Sequence, residues 1–222
     1  MLLAIDTSAG TSVATLWSAS SSAGDSEGGA AAGGGSAEAS STNPMAHAEV
    51  IGELIAEVLG ASGLDASAVT GVVAGVGPGP FTGLRVGLAA ASAFALGRQV
   101  ALLPVVSHDA IALAALDEAS GPLLVVTDAR RKELYWSIYS GLNAHGLPER
   151  VAGPSLSKPD DLPPEWNGTP VTRWDAAEVS AGLLARIAQR MLDAGLEFEP
   201  FEPLYLRSPD VTMPGAVKRV NS

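Results

Sequence analysis

The sequence predicts a two-lobed α/β protein, and three observations carry that prediction. A short apolar strand that ends in Asp, turns and returns as a second strand occurs at residues 2–17 and again at 123–139. Stretches with helical spacing of apolar residues lie between and after these units, where crossover connections belong. A Gly/Pro-rich turn, Gly75-Val76-Gly77-Pro78-Gly79-Pro80-Phe81-Thr82-Gly83-Leu84-Arg85, joins a buried strand to a helix dotted with small residues. The chain has 222 residues, enough for one large or two small domains with a sizeable core.

Leu2-Leu3-Ala4-Ile5 ends at Asp6, and Ser12 to Trp17 alternates polar and apolar, so the two form a hairpin across a turn at Thr7 to Thr11. Ser18 to Thr42 is almost entirely Ser, Ala and Gly with a few acids; it buries too little apolar surface to offset its ordering entropy and reads as a flexible loop. Asn43-Pro44 opens a helix in which His47, Ala48, Ile51, Leu54, Ile55, Val58 and Leu59 keep helical spacing, with Gly60 at its end. Glu49, Glu53 and Glu57 line the opposite, solvated face. Val69 to Val76 is a buried strand, followed by a helix from about Pro80 to Gly97, a strand from Val100 to Val106 and a helix from Ser107 to about Ala119. Leu123 to Asp128, a turn at Ala129 to Lys132 and an alternating strand from Glu133 to Tyr139 form the second hairpin. Residues 141–175 show little regular patterning, Ala176 to Ala194 is an amphipathic helix, and Ser208 to Ser222 reads as a loose tail. The lobes are thus expected at 1–104 and 105–207.

Composition excludes several classes of activity. Cysteine is absent, so disulfides, thiolate metal ligands and a cysteine nucleophile are excluded. Net charge is −11, and nucleic-acid affinity rests largely on basic groups that neutralise phosphates, so this chain alone should bind DNA or RNA poorly. The longest apolar helix, Val86 to Gly97, is well short of the roughly 20 residues that span a bilayer. Met1 runs straight into a strand pattern rather than a leader, which points to the cytoplasm.

The Gly/Pro turn has no Lys and no Gly-Lys-Ser/Thr ending, so it is not a P-loop. Gly83, Gly87, Ala91 and Ala95 are four apart and share a helix face. Glycine in a helix interior costs about 1 kcal/mol relative to alanine, so two on one face imply close approach of something: the protein's own sheet, a partner's helix or a ligand. With the apolar stripe at Ile51, Leu54, Ile55 and Val58 there is more apolar helix surface than a small sheet requires, which favours a partner interface.

No catalytic set stands out. The three histidines are His47, His108 and His145, and the position four after His47 is Ile51, so no helical His pair forms a metal site. No Gly-x-Ser-x-Gly elbow occurs. Asp6 and Asp128 end strands, where they either hold Mg²⁺ and phosphate or cap their own turns.

Leu3-Ala4-Ile5-Asp6-Thr7-Ser8, His47-Ala48-Glu49, the Gly75–Arg85 stretch, Val106-Ser107, Thr127-Asp128-Ala129-Arg130 with Glu133-Leu134-Tyr135, and Pro203-Leu204-Tyr205-Leu206-Arg207 occur in that order. Together they resemble the TsaB (YeaZ) family, bacterial subunits of the machinery that makes threonylcarbamoyladenosine in tRNA, over nearly the whole chain. The resemblance implies an actin/Hsp70-like (ASKHA) fold with a reduced C-terminal lobe. It implies a non-catalytic subunit that activates a TsaD-like transferase modifying the adenosine beside the anticodon. TsaD carries the HxxxH metal ligands; here the second position is Ile51.

The resemblance further implies pairing with TsaD through the first two helices, placing His47, Ile51, Leu54, Ile55, Val58, Phe81, Gly83, Leu84, Arg85, Gly87, Leu88 and Ala91 at the partner interface. It implies a TsaE-like ATPase in the assembly, a homodimer in isolation, and tRNA contact only through the complex. No cofactor is expected on this chain alone; ATP or ADP with Mg²⁺ belongs at the complex interface, beside Asp6, Thr7 and Ser8. Pro80 stands where the family usually has Ser, and the 18–42 segment is longer than expected for its hairpin connection. The competing expectation is an autonomous ASKHA-fold phosphotransferase or ATPase, which would need a second phosphate loop that 141–175 does not offer.

Overall fold

The computed structural model describes residues 1–18, 34–43, 47–119 and 121–207. The expected tail at 208–222, the centre of the low-complexity segment and Pro44 lie outside the described residues.

Two sheets form the frame. The first contains β1 (Leu2–Asp6), β2 (Thr11–Trp17), β3 (Gly35–Ser41), β4 (Gly71–Gly75) and β5 (Ala101–Val105), in the order β3-β2-β1-β4-β5. β1 pairs antiparallel with β2 and parallel with β4. The second contains β6 (Leu123–Asp128), β7 (Leu134–Leu142), β8 (Pro148–Ser157) and a later strand, Thr172–Asp175, in which β6 pairs antiparallel with β7 and parallel with the later strand. Between β8 and that strand lie β9 (Glu165–Trp166) and β10 (Thr169–Pro170), a two-stranded hairpin, so Thr172–Asp175 is β11. The second sheet runs β8-β7-β6-β11, the same arrangement as β3-β2-β1-β4. The duplication seen in the sequence is therefore a duplication of topology.

Layering follows from the alternation of side chains along each strand. Leu3, Ile5, Val13, Val72 and Ala74 face α1 (His47–Ser62) and α2 (Phe81–Arg98) on one side of the first sheet. Leu2, Ala4, Ala14 and Val73 face the other side, where α3 (Ser107–Ala115) and α4 (Ala181–Asp193) pack between the two sheets together with Leu123, Val125 and Tyr139. The outer face of the second sheet, Leu124, Val126, Trp136 and Ile138, packs against half-buried groups such as Leu162 and Trp166. Among the described residues no α-helix packs on it, and that is the physical sense in which the C-terminal lobe is reduced.

Helix ends follow local chemistry. Gly60 does not stop α1; the helix continues to Ser62, whose Oγ donates to the Leu59 carbonyl at 2.7 Å, and Gly63 at φ +66° ends it. Pro80 precedes the first turn of α2, and Gln99 in the left-handed region closes its last turn. Ser180 caps α4 by accepting from Leu183 N–H, so that helix starts five residues later than its apolar spacing implies.

Two expectations are corrected. Residues 35–41, read as part of a flexible loop, form β3, because the β2 edge offers a full backbone ladder from Thr11↔Ser41 to Trp17↔Gly35. Residues 141–175, read as largely irregular, hold β8, the β9–β10 hairpin and β11.

Candidate functional site: the turn after the first strand and the helices over it

The turn after β1 is held by a dense set of side-chain hydrogen bonds. Asp6 is buried, and its Oδ1 accepts from Ser8 N–H at 2.8 Å and Ser8 Oγ at 2.6 Å. Its Oδ2 accepts from Ser107 Oγ at 2.5 Å, and Ser107 Oγ accepts in turn from Gly77 N–H at 3.0 Å. Burial raises the Asp6 carboxyl above its ordinary range, and the bonds from Ser107 and Ser8 partly offset it. Thr7 Oγ1 donates to the Gly83 carbonyl at 2.7 Å and accepts from Gly87 N–H at 3.1 Å. His47 Nδ1 lies 2.7 Å from Thr11 Oγ1; burial lowers its pKa, opposed by the Asp6 charge.

The glycines of the Gly/Pro stretch explain how these groups come so close. A Cβ on Gly75 would lie 1.9 Å from Asp6 Oδ2, one on Gly79 2.8 Å from Ser8 Cα, and one on Gly87 2.2 Å from Thr7 Oγ1. Of the three approaching elements weighed for the glycine face, the one present is the protein's own β1–β2 turn.

Most of the residues expected at a partner interface are buried within the chain itself. Ile51, Leu54, Val58, Leu88 and Ala91 are buried in the core between α1, α2 and the first sheet, Leu84 is buried beside Gly77 of the Gly/Pro turn, and His47, Gly83 and Gly87 are buried against the β1–β2 turn. Ile55 is half-buried; only Phe81 and Arg85 are exposed. The Arg85 guanidinium sits 3.6 Å above the Phe81 ring centroid, and its Nε donates to Tyr205 Oη at 3.1 Å. Leu204 N–H donates to the Val76 carbonyl at 2.9 Å, so the Pro203–Arg207 stretch returns to the start of α2.

The surface that α1 and α2 turn outward is different. On α1 it holds Ala48, Gly52, Ala56 and Gly60, four apart; on α2 it holds Ala89, Ala93, Gly97 and Leu96, the last 80% exposed. Nothing lies within 4 Å of where a Cβ on Gly52, Gly60 or Gly97 would project. The four-residue spacing was available in the sequence, but small residues occur on both faces of α2, so spacing alone did not choose between them.

The two strand-ending carboxylates both cap their own turns. Asp128 accepts from Arg130 N–H at 2.8 Å and pairs with the Arg130 guanidinium at 3.3 Å. A cleft of about 220 Å³ separates this turn from the first one, lined by Thr7, Ser8, Gly10, His47, Pro80, Asp128 and Arg130 among others. Of Asp6, Thr7 and Ser8, expected beside a nucleotide, Thr7 and Ser8 line this cleft, while Asp6 is buried behind them and engaged by Ser8 and Ser107. Arg130, Arg131 and Lys132 take the left-handed conformation in succession, φ 64°, 54° and 60°. Each costs about 1–2 kcal/mol for a residue with a side chain, and no Gly or Asn in the turn foretold it.

Among the described residues no group of three or more His, Cys, Asp or Glu is placed to hold a metal ion, and no helix is long and apolar enough to cross a membrane.

The two sheets of matching order, the helices between them and the cleft between equivalent hairpin turns define an ASKHA-fold protein. Residues 41–197 match the family described as TsaD, tRNA N6-adenosine threonylcarbamoyltransferase. An uncharacterised protein of Mycobacterium tuberculosis is 35% identical over 184 residues, covering 78% of this chain and 81% of its own length. An uncharacterised Mycobacterium leprae protein is 35% identical over 189 residues, covering 78% of this chain; the chain spans about half, 48%, of that relative. The tRNA threonylcarbamoyladenosine biosynthesis protein TsaB of Escherichia coli is 27% identical over 190 residues, covering 74% of this chain and 82% of its own. A Pseudomonas aeruginosa crystal structure, described as an uncharacterised protein with similarity to peptidase YeaZ, superposes with a TM-score of 0.73 at 25% identity, covering 93% of this chain and 99% of that one. The chain belongs to the TsaB (YeaZ) family.

Proposed function

We propose that this chain is a non-catalytic subunit that binds and activates a TsaD-like transferase in threonylcarbamoylation of tRNA. The observation that carries the reading is the outward face of α1 and α2. Its Ala48, Gly52, Ala56 and Gly60, beside Ala89, Ala93 and Leu96, give two adjacent helices a smooth surface on which a partner's helices can pack closely. Phe81 and Arg85 extend that surface at the start of α2, and Glu49, Glu53 and Glu57 form an acidic border. The side chains an enzyme of this fold would need are already committed: Asp6 to Ser8 and Ser107, Asp128 to Arg130. In this reading the chain self-associates through the same face when alone and works in the cytoplasm. A TsaE-like ATPase joins the complex, and ATP or ADP with Mg²⁺ binds at the complex interface, beside the Asp6–Ser8 turn, rather than to this chain alone.

The test is light scattering after size exclusion, on the pure chain and on its mixture with the TsaD-like protein of the same organism. A one-to-one complex that replaces self-association supports the reading. Two species that ignore each other, with and without ATP, overturn it.

A further inference from the structure

We propose that the turn between β6 and β7 is a strained flap on the wall of the inter-lobe cleft, and that Arg207 is the latch that holds it, tied by the C-terminal strap to the start of α2. The flap is Arg130, Arg131 and Lys132, three successive non-glycine residues at φ 64°, 54° and 60°. Residues with side chains are strained in that conformation, and it persists only where the surroundings over-determine it.

The holding contacts come from two sides. Within the hairpin, Ala129 N–H donates to the Glu133 carbonyl at 3.0 Å, Glu133 N–H to the Arg130 carbonyl at 3.1 Å, and Arg130 N–H to Asp128 Oδ1 at 2.8 Å. From outside it, Arg207 donates to the Arg130 carbonyl at 3.4 Å and forms an ion pair with Glu133. One side chain from the far end of the chain thereby joins the two ends of the flap.

The strap that carries Arg207, residues 197–207, is itself lightly held. It contains no helix or strand, and cavities of about 300 and 240 Å³ lie between it and Val105, Val106 and Arg150. Segments with so few buried contacts are the ones that open locally. Its anchors are Glu199 on Arg150 at 3.0 Å, Leu204 N–H on the Val76 carbonyl at 2.9 Å, and Tyr205. Tyr205 accepts from Arg85 Nε at 3.1 Å and packs on Phe81 with ring centroids 4.7 Å apart. It is two residues from the latch, so whatever engages Phe81 and Arg85 on α2 acts on Arg207 with little slack.

Release has a defined consequence in the cleft. While the flap is latched, Asp128 is capped by the Arg130 N–H and neutralised by its guanidinium at 3.3 Å, and both residues line the cleft with Thr7, Ser8 and His47. A released flap carries Arg130 away. Asp128, which the ladder keeps opposite Leu134, then stays on the wall as a bare carboxylate. The latch switches the charge of the cleft wall, and the start of α2 controls the latch.

The experiment follows amide hydrogen exchange by NMR in the chain alone. It compares the Ala129, Arg130 and Glu133 amides of the flap with those of Val125 and Ile138 in the sheet. Arg207→Gln should speed the flap amides about tenfold and leave the sheet amides unchanged. Tyr205→Ala, which keeps Arg207 but removes its tie to α2, should speed them by a smaller factor. Lys132→Gly takes up the left-handed conformation without strain, and added to Arg207→Gln it should bring flap exchange most of the way back. Flap amides that do not respond to Arg207→Gln overturn the latch. Equal acceleration of flap and sheet amides overturns it too, because Arg207 would then serve global stability alone. Failure of Lys132→Gly to slow exchange overturns the strain, and an inert Tyr205→Ala overturns the tie to α2.

Discussion

Thr7 and Gly87 sit so close that the Thr7 side chain fills the space a side chain at 87 would need. Thr7 Oγ1 accepts from Gly87 N–H at 3.1 Å, and a Cβ on Gly87 would fall 2.2 Å from that oxygen. Alanine is the better helix former by about 1 kcal/mol, yet the clash decides the sign, because Thr7 is buried and also bonded to Gly83. Gly87→Ala should destabilise the chain by about 1–3 kcal/mol, read from urea unfolding. Thr7→Ala/Gly87→Ala should lose less than the sum of the two single changes. Strict additivity would mean the contact is not what excludes a side chain at this position. A bulky residue at Gly87 is consequently a test of folding and not a clean test of partner binding.

Partner binding is better probed from outside. Gly52→Arg and Ala89→Arg project from the exposed face of α1 and α2, and nothing lies within 4 Å of a Cβ at Gly52. Both should melt within a few degrees of the wild type and lose the TsaD-like partner on size exclusion. Ile51→Ala, in the buried stripe of α1, should instead cost about 2–4 kcal/mol of stability through the cavity it leaves. Normal partner binding by a folded Gly52→Arg variant would remove the outer face from consideration.

Asp6 gives a test of the competing enzymatic reading. Asp6→Ala leaves the Ser8 N–H and the Ser107 hydroxyl without their acceptor in a buried site, and should cost about 2–4 kcal/mol. Asp6→Asn keeps one acceptor and the shape, and should cost less. The sign of the pH effect is set by burial: the folded carboxyl binds its proton more tightly than the unfolded one, so its contribution is largest in acid and declines as pH rises. Thermal melts of both variants across pH would show this. ATP turnover by the pure chain that vanishes in Asp6→Asn at undiminished stability would favour the phosphotransferase instead.

What the sequence disclosed, and what it withheld, follows from where the ordering forces lie. β1 and β6 are continuous apolar runs because both of their faces are buried, β2 and β7 alternate polar and apolar residues, and α4 has one apolar side, so their own residues announce them. β3 reads Gly35-Ser36-Ala37-Glu38-Ala39-Ser40-Ser41 and announces nothing; its order comes from the β2 ladder and from Glu38, which accepts from Ser12 Oγ at 2.8 Å and Ser180 Oγ at 2.9 Å. β8 likewise depends on β7. In α2, small residues on every side left the periodicity unable to say which face met the sheet. Only the contacts of Gly83 and Gly87 with Thr7 decide it, and they join residues 76 to 80 apart in the chain.

His108 gives the stability of this chain one contribution that acid removes. It is fully buried between α3 and the second sheet, with Nδ1 2.9 Å from Ser137 Oγ and Nε2 2.9 Å from Thr127 Oγ1. Burial first, and the nearby Arg150 charge second, push its pKa from 6.5 down to about 3. Between those values the unfolded chain takes up a proton that the folded chain refuses, so this contribution is complete above pH 6.5 and drains away as pH falls. By pH 5 the loss amounts to about 2 kcal/mol. Its neighbour Asp109 works against it. Burial raises that carboxyl to about 6 despite Arg150 and the Tyr139 hydroxyl, so its contribution grows as pH falls over the same window. The comparison must therefore be a difference: urea midpoints of the wild type and His108→Gln at pH 7, 6 and 5. Gln keeps a donor and an acceptor but cannot take the proton, so the variant, weaker at pH 7, should lose about 2 kcal/mol less than the wild type on going to pH 5. Parallel losses in the two proteins would place the acid sensitivity elsewhere.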